Sequence, residues 1–233
     1  MNKIIPSFTG KFDDWGEIDI QESQESLMSL KGIHERISVR PMYFLRGKSA
    51  MDDCFVRISV AKRLIAVAES LPKNHKLVIW DGWRPISVQQ ALFDEYKSIL
   101  RGQFPVATDG ELDKKASTFV SLPSSNSKKP SPHCTGGSVD LTISSSDGVC
   151  LDMGTEFDDF TSKAHTAFLE ERISSLSLVD RNALENRRLL FFSMINAGFT
   201  NYPFEWWHFD YGNQFWALSS NSSHAIYGPI DLG

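Results

Sequence analysis

The chain has 233 residues, a formal charge of −5 and three cysteines. That acidity, with never more than two Lys or Arg side by side, speaks against a nucleic-acid surface, which needs a dense cationic field. No stretch approaches 18 apolar residues, so no membrane span is expected. Cys54, Cys134 and Cys150 are odd in number and lack CxxC spacing, which suits reduced thiols rather than a disulfide framework. The opening "MNKIIPSFTGKFDDWGEIDI" lacks the layout of a secretory signal. The expectation is a soluble cytoplasmic protein forming one domain over 1–233, with a core large enough to need no disulfides.

Residues 1–50 mix polar and aromatic positions without a period, and read as an irregular wrap of loops and short strands. "RISVAKRLIAVAES" (57–70) places Ile58, Ala61, Leu64, Ile65 and Ala68 at helical spacing, and Pro72 ends it. "KLVIW" (76–80) is a short β-branched run closed by Asp81-Gly82, hence a strand. A helix follows, with Ser87 and Gln90 at capping-box spacing and a stripe of Val88, Ala91, Leu92, Tyr96 and Ile99. Residues 121–133 are a Ser/Pro/Lys-rich loop. "SVDLTI" (138–143) alternates as a strand. A long helix is predicted over 182–197, with Gly198 just past its end. "EWWHFDY" (205–211) alternates again. Strands and helices without regular βαβ order indicate an α+β fold.

Two stretches carry chemistry. In "SPHCTGGSVDLTI" (131–143), Val139, Leu141 and Ile143 share one strand face, and Ser138, Asp140 and Thr142 the other. Asp140 is therefore expected on the polar side of the sheet, facing a cleft. Gly136-Gly137 would let the chain bend back and bring His133 beside it. In "EWWHFDY", Trp206, His208 and Asp210 share a face. Glu205, three residues before His208, must then lie on irregular backbone where the strand begins. Two histidines and an aspartate can make the three-ligand set of a catalytic zinc, with a free carboxylate as base. Each piece alone has a plainer reading: a loop histidine, a solvated strand aspartate, a chance ExxH. His34, His75, His165 and His224 lack acidic or histidine partners at ligand spacing and read as structural or surface residues. In "IWDGWRP" (79–85), Arg84 sits at a strand end, held from α geometry by Pro85. It suits an anionic group, or simply a salt bridge with Asp81.

Taken together and in this order, "DGWRP", "SPHCTGGSVDLT", "MGTEFD", "NRRLLFFSMINAGF" and "EWWHFDYG" resemble the zinc D-alanyl-D-alanine dipeptidases of the VanX type, over residues of roughly 40 to 215. The resemblance implies one Zn²⁺ per chain held by His133, Asp140 and His208. It implies Glu205 as catalytic base and Arg84 as stabiliser of the developing oxyanion. It implies substrate contacts from Asp158 (to the ammonium) and Ser131, with Asp81 counted beside Arg84. The implied fold is a small antiparallel sheet with flanking helices, of the D,D-peptidase and hedgehog type, and the implied partner is a small dipeptide. Pro132, Cys134 and Ser138 depart from the family pattern without removing a ligand. A D,D- or L,D-carboxypeptidase and a non-catalytic zinc-containing binding domain stand as the alternatives.

Overall fold

The structure, a computed structural model, describes residues 3–10, 14–117, 119–124 and 126–232. Five strands form the main sheet, in the order β2-β4-β5-β7-β6: β2 (Ile37–Val39), β4 (His75–Asp81), β5 (Ser138–Ser145), β6 (Thr200–Asn201) and β7 (His208–Asp210). Only β2 and β4 run parallel; the other neighbours are antiparallel. A two-stranded antiparallel sheet pairs β1 (Leu27–Ser29) with β3 (Phe55–Arg57). The helices are α1 (Met42–Leu45), α2 (Ile58–Ser70), α3 (Ile86–Gln103), α4 (Asp109–Ala116), α5 (Leu178–Asn196) and α6 (Gln214–Ser220). The fold is α+β, a small, mostly antiparallel sheet with flanking helices, in agreement with the expected class.

The sheet is built as its residues dictate. β4 and β5 carry Leu77, Ile79, Val139, Leu141 and Ile143, all removed from solvent and packed with Leu64, Val67 and Ala68 of α2 and Leu190 and Met194 of α5. α2 buries Val60, Ala61, Leu64, Val67 and Ala68, close to the stripe read from its spacing. Complete burial of a Leu or Ile contributes about 1.5–3 kcal/mol, so these central strands anchor everything placed on them.

Several details differ from the sequence reading. α3 begins at Ile86, and its N-cap is Pro85 without a side-chain cap bond. Ser87 is already inside the helix, because Pro85 fixes the entry and leaves no orphan donor of its own to cap. The chain's capping box lies on α4, where Thr108 and Glu111 exchange side-chain and backbone bonds. α5 starts four residues before the predicted point, capped by Ser177. Its first residues, Leu178 and Val179, are exposed and add nothing to an apolar face. The strand expected over 205–211 is only His208–Asp210; the preceding residues turn.

The polar face of β5 is not open either. Ser138, Asp140 and Thr142 are all within 2% of complete burial. α1 and the irregular stretch after β5 fold over that face, where Tyr43 and Phe157 line the same cavity as Asp140. Two arginines of α5 hold the stretch in place. Arg187 donates to the carbonyls of Met153, Lys163 and His165, and Arg188 forms a bidentate pair with buried Glu170.

Candidate metal centre

Strand register assembles the site. Asp140 on β5 pairs directly with His208 on β7, and Asp81 on β4 pairs with Asp140. Directly opposed residues point to the same side with Cβ atoms roughly 5 Å apart, so the three form a row across the sheet. Asp81 reaches the row through a bulge: Ile79 pairs with Leu141, and the register then shifts so that Trp80 is extra. His133 arrives from the short 3₁₀ turn before β5. The chain leaves that turn through Gly136 at φ +69°, and a Cβ on Gly137 would lie 2.5 Å from the carbonyl oxygen of Tyr211. The glycine pair thus permits the fold-back expected of it.

Three ligand atoms converge. His133 Nε2 lies 3.2 Å from His208 Nδ1 and 3.4 Å from Asp140 Oδ2, and His208 Nδ1 lies 3.1 Å from Asp140 Oδ1. The edges of a tetrahedron of ligands around zinc, at bonds of 2.0–2.1 Å, are roughly 3.3 Å. The outer nitrogens are committed elsewhere. His133 Nδ1 donates to the Gly82 carbonyl at 2.7 Å, and His208 Nε2 donates to the Asp210 carboxylate at 3.1 Å. Both inner nitrogens therefore turn a lone pair toward the same point, which repels unless a cation stands between them. Asp140 Oδ1 is buried and has no hydrogen-bond partner, although a ring nitrogen is 3.1 Å away. An oxygen aimed past its neighbour fits a shared ion. Among the described residues, these three form the one group of His, Cys, Asp or Glu able to hold a metal. His34, His75, His165 and His224 lie outside it. So does Cys134, the sequence neighbour of His133.

Glu205 stands beside the triad with Oε2 3.7 Å from His208 Nδ1, on the irregular backbone before β7. Burial, partly offset by His208, pushes its pKa up to about 8. Arg84 is fixed from three sides. Its Nε and Nη2 donate to Asp81 Oδ2 at 2.9 and 2.6 Å, Nη1 donates to Gln89 Oε1, and the guanidinium lies over the Tyr43 ring. The salt bridge and the site-facing arginine turn out to be the same arrangement, for Arg84 also lines the cavity, 3.6 Å from Asp140.

The cavity has a volume of about 430 Å³, and Arg84, His133, Asp140, Asp158, Glu205 and His208 all line it. Asp158 sits in the left-handed region at φ +63°, a strained choice for a non-glycine residue. It is paired with Arg46 and accepts from the Tyr43 hydroxyl. Burial, against the pull of Arg46, raises its pKa to about 6. Two expected contacts are placed elsewhere. Ser131 donates to the Leu122 carbonyl and does not line the cavity; it ties down the loop before His133. Asp81 lies behind Arg84 and His133, close to both, and orients them instead of facing the cavity.

Sequence reasoning gave no role to Asp210, Ser138 or Asn213. Ser138 Oγ and Asn213 Nδ2 each donate to Asp210 Oδ1 at 2.6 Å, so the carboxylate that holds His208 is itself held. The shared face of His208 and Asp210 was the available signal. Ser138, a departure from the family pattern, is thus a working part of the site.

Two imidazoles and a carboxylate converging on one point, with an unbound acid beside them, define a single-metal hydrolytic centre of the zinc peptidase class. The sequence profile of the D-ala-D-ala dipeptidase family matches residues 45–225, and the chain belongs to that family. A D-alanyl-D-alanine dipeptidase of Synechocystis sp. is 30% identical over 196 residues, covering 76% of this chain and 79% of that protein. The D-alanyl-D-alanine dipeptidase of Enterococcus faecium is 29% identical over 157 residues, covering 64% and 69%. Among solved structures, a vancomycin resistance D,D-pentapeptidase in complex with Zn(II) aligns over 91% of this chain and 96% of that one, at 17% identity and a TM-score of 0.45. No helix among the described residues is long and apolar enough to cross a membrane.

Proposed function

We propose that the chain is a zinc dipeptidase that hydrolyses D-alanyl-D-alanine and related D,D-dipeptides to free amino acids. The observation that carries this reading is the pair of inner lone pairs at His133 and His208, aimed with Asp140 at one point while Glu205 stays outside. His133 Nε2, His208 Nδ1 and Asp140 would hold the ion. When bound, zinc supplies Lewis acidity and a water acidic enough to react near neutral pH.

The chain's own groups divide the remaining work. Glu205 takes the proton of the attacking water at its carboxylate and passes it to the departing amine, a role its place beside the triad allows. Arg84, immobilised by Asp81 and Gln89, presents its guanidinium to the oxygen that gains charge. Asp158 receives the substrate ammonium, with Arg46 and Tyr43 holding the carboxylate until then. A free amine is favoured there, because an acylated terminus brings no cation to Asp158 and leaves it with Arg46 and Tyr43 alone. A cytoplasmic location fits three free cysteines, two of them buried.

The test is metal analysis of the purified protein together with D-Ala release from D-Ala-D-Ala, with and without a chelator. The expected result is about one zinc per chain and activity that the chelator removes and zinc restores. Full activity in a metal-depleted protein would overturn the reading. A protein that releases D-Ala from an acylated peptide but not from the free dipeptide would favour the carboxypeptidase alternative.

A further inference from the structure

The metal end accounts for only part of the cavity. From Arg84 outward, Gln89, Leu92, Tyr96 and Ile99 of α3 all face it, at helical spacings of three, four and three. Ten residues at 1.5 Å each carry that wall about 15 Å. A fully extended dipeptide covers only about 7 Å. Past Gln89 the wall is mixed: Glu95, paired with Lys48, and Ser117 line it on one side, and an apolar face stands beside them. Tyr96, Phe119 and Phe160 form an aromatic trio, with ring centroids 4.6 Å apart for Tyr96–Phe160, 5.7 Å for Phe119–Phe160 and 6.2 Å for Tyr96–Phe119. These rings and Leu92 line the cavity and are only partly buried, so apolar surface inside the substrate chamber remains uncovered. Two alanine methyls cannot cover it.

The lining also distinguishes what could. Amide groups of a longer peptide laid on the face formed by Leu92, Tyr96, Phe119 and Phe160 would meet hydrocarbon and rings, with polar partners only at its margin from Glu95, Lys48 and Ser117. An apolar side chain meets no such penalty. The side chain's position follows from the loop after β5. Asp158 and Phe160 are two residues apart and face the same chamber. If Asp158 takes the ammonium, the side chain nearest Phe160 hangs on the same α-carbon as that ammonium.

We propose that the preferred substrate is a D,D-dipeptide whose amino-terminal residue carries a large apolar side chain, seated against Leu92, Tyr96, Phe119 and Phe160. This rests on the dipeptidase reading above and narrows its substrate class. The experiment measures kcat/KM of the zinc-loaded enzyme on D-Ala-D-Ala, D-Leu-D-Ala, D-Ala-D-Leu and N-acetyl-D-Ala-D-Ala. D-Leu-D-Ala is expected to exceed D-Ala-D-Ala by at least about tenfold, the lower end of what one well-seated methylene achieves. Tyr96→Ala should collapse that ratio. Leu92→Trp, which fills the groove, should invert it, so the conclusion does not hang on one variant that might misfold. A ratio of one or less in the wild type overturns the proposal, as does a preference for D-Ala-D-Leu or for the acetylated substrate. Failure to cleave any of the four strikes the dipeptidase reading itself, and the proposal with it.

Discussion

The Asp210 carboxylate offers the sharpest test of how the metal centre is built. It touches no part of the cavity, yet it fixes which nitrogen of His208 faces the ion. Oδ1 accepts from Ser138, Asn213 and His208, whereas Oδ2 accepts from His208 alone. In Asp210→Asn, an amide oxygen at the Oδ1 position keeps all three donors, but the amide nitrogen at the Oδ2 position sets a donor against the His208 Nε2–H. The orienting bond is opposed and the charge behind it is gone, so the imidazole becomes a weaker ligand. In Asp210→Ala, the Ser138 hydroxyl and the His208 ring N–H are left without their acceptor, and the Asn213 amide keeps only Ser138 Oγ. Removing such a supporting partner typically costs 10–100-fold in metal affinity. The asparagine variant should fall near tenfold, about 1.4 kcal/mol. The alanine variant should approach a hundredfold. Zinc competition against a chromophoric chelator reads both directly, and thermal unfolding of the metal-free proteins separates lost affinity from lost fold. Zinc affinity within about threefold of wild type for both variants, in folded protein, would refute the argument that Asp210 sets the His208 tautomer.

Glu205→Ala is expected to lose about 10²–10⁴-fold in kcat while keeping its zinc, measured by D-Ala release and metal content; loss of the metal would move Glu205 into the ligand set. Arg84→Lys keeps the charge opposite Asp81 but not the fork, and should lower kcat by about 10²–10³-fold with zinc retained. The Asp158 carboxyl has a folded pKa of about 6 against an ordinary 3.8, with burial as the main cause and Arg46, Arg84, Tyr43 and Asp140 as its charged and titratable neighbours. Its folded form holds the proton more tightly than the unfolded chain. The stability it contributes is therefore present below pH 3.8 and lost as pH rises through 6. Ammonium binding runs the other way, so KM should fall between pH 5 and 7, and Asp158→Asn should flatten that dependence.

What could be read in the sequence follows from how local each signal is. The fold-back at Gly136-Gly137 and the strand alternation at 138–143 are local, and they placed His133 and Asp140 together. The position of Glu205 on irregular backbone also followed from a local contradiction, since an acid three residues before His208 cannot share its face on a strand. Three features could not be found this way. Asp81 pairs with Arg84 as the sequence suggests, but a bulge one residue away keeps it behind Arg84 and off the substrate side, and nothing in "IWDGW" announces an extra residue. Ser131 lies against a loop carbonyl nine residues earlier, a contact set by the loop's path. Arg187 and Arg188 spoil the apolar period of α5, because their partners are the backbone and the acid of a stretch far away in sequence.

The same comparison explains why the centre sits in the middle of the sheet. An ion site needs ligand atoms held within a few tenths of an ångström, and loops seldom provide that. Here two of the three proposed ligands are opposed residues on adjacent central strands, Asp140 and His208. The third is hung on the end of one of those strands by a turn whose glycines leave no room for side chains. A one-residue slip of β7 against β5 would carry Asp140 opposite an apolar neighbour and move His208 off the row. The hydrophobic faces of Val139, Leu141 and Phe209, completely buried, resist that slip. The packing that stabilises the fold and the spacing that suits a zinc ion are therefore one constraint. A Val139→Ala change, next to Asp140 in the chain but with its side chain on the opposite, apolar face of β5, should loosen both together.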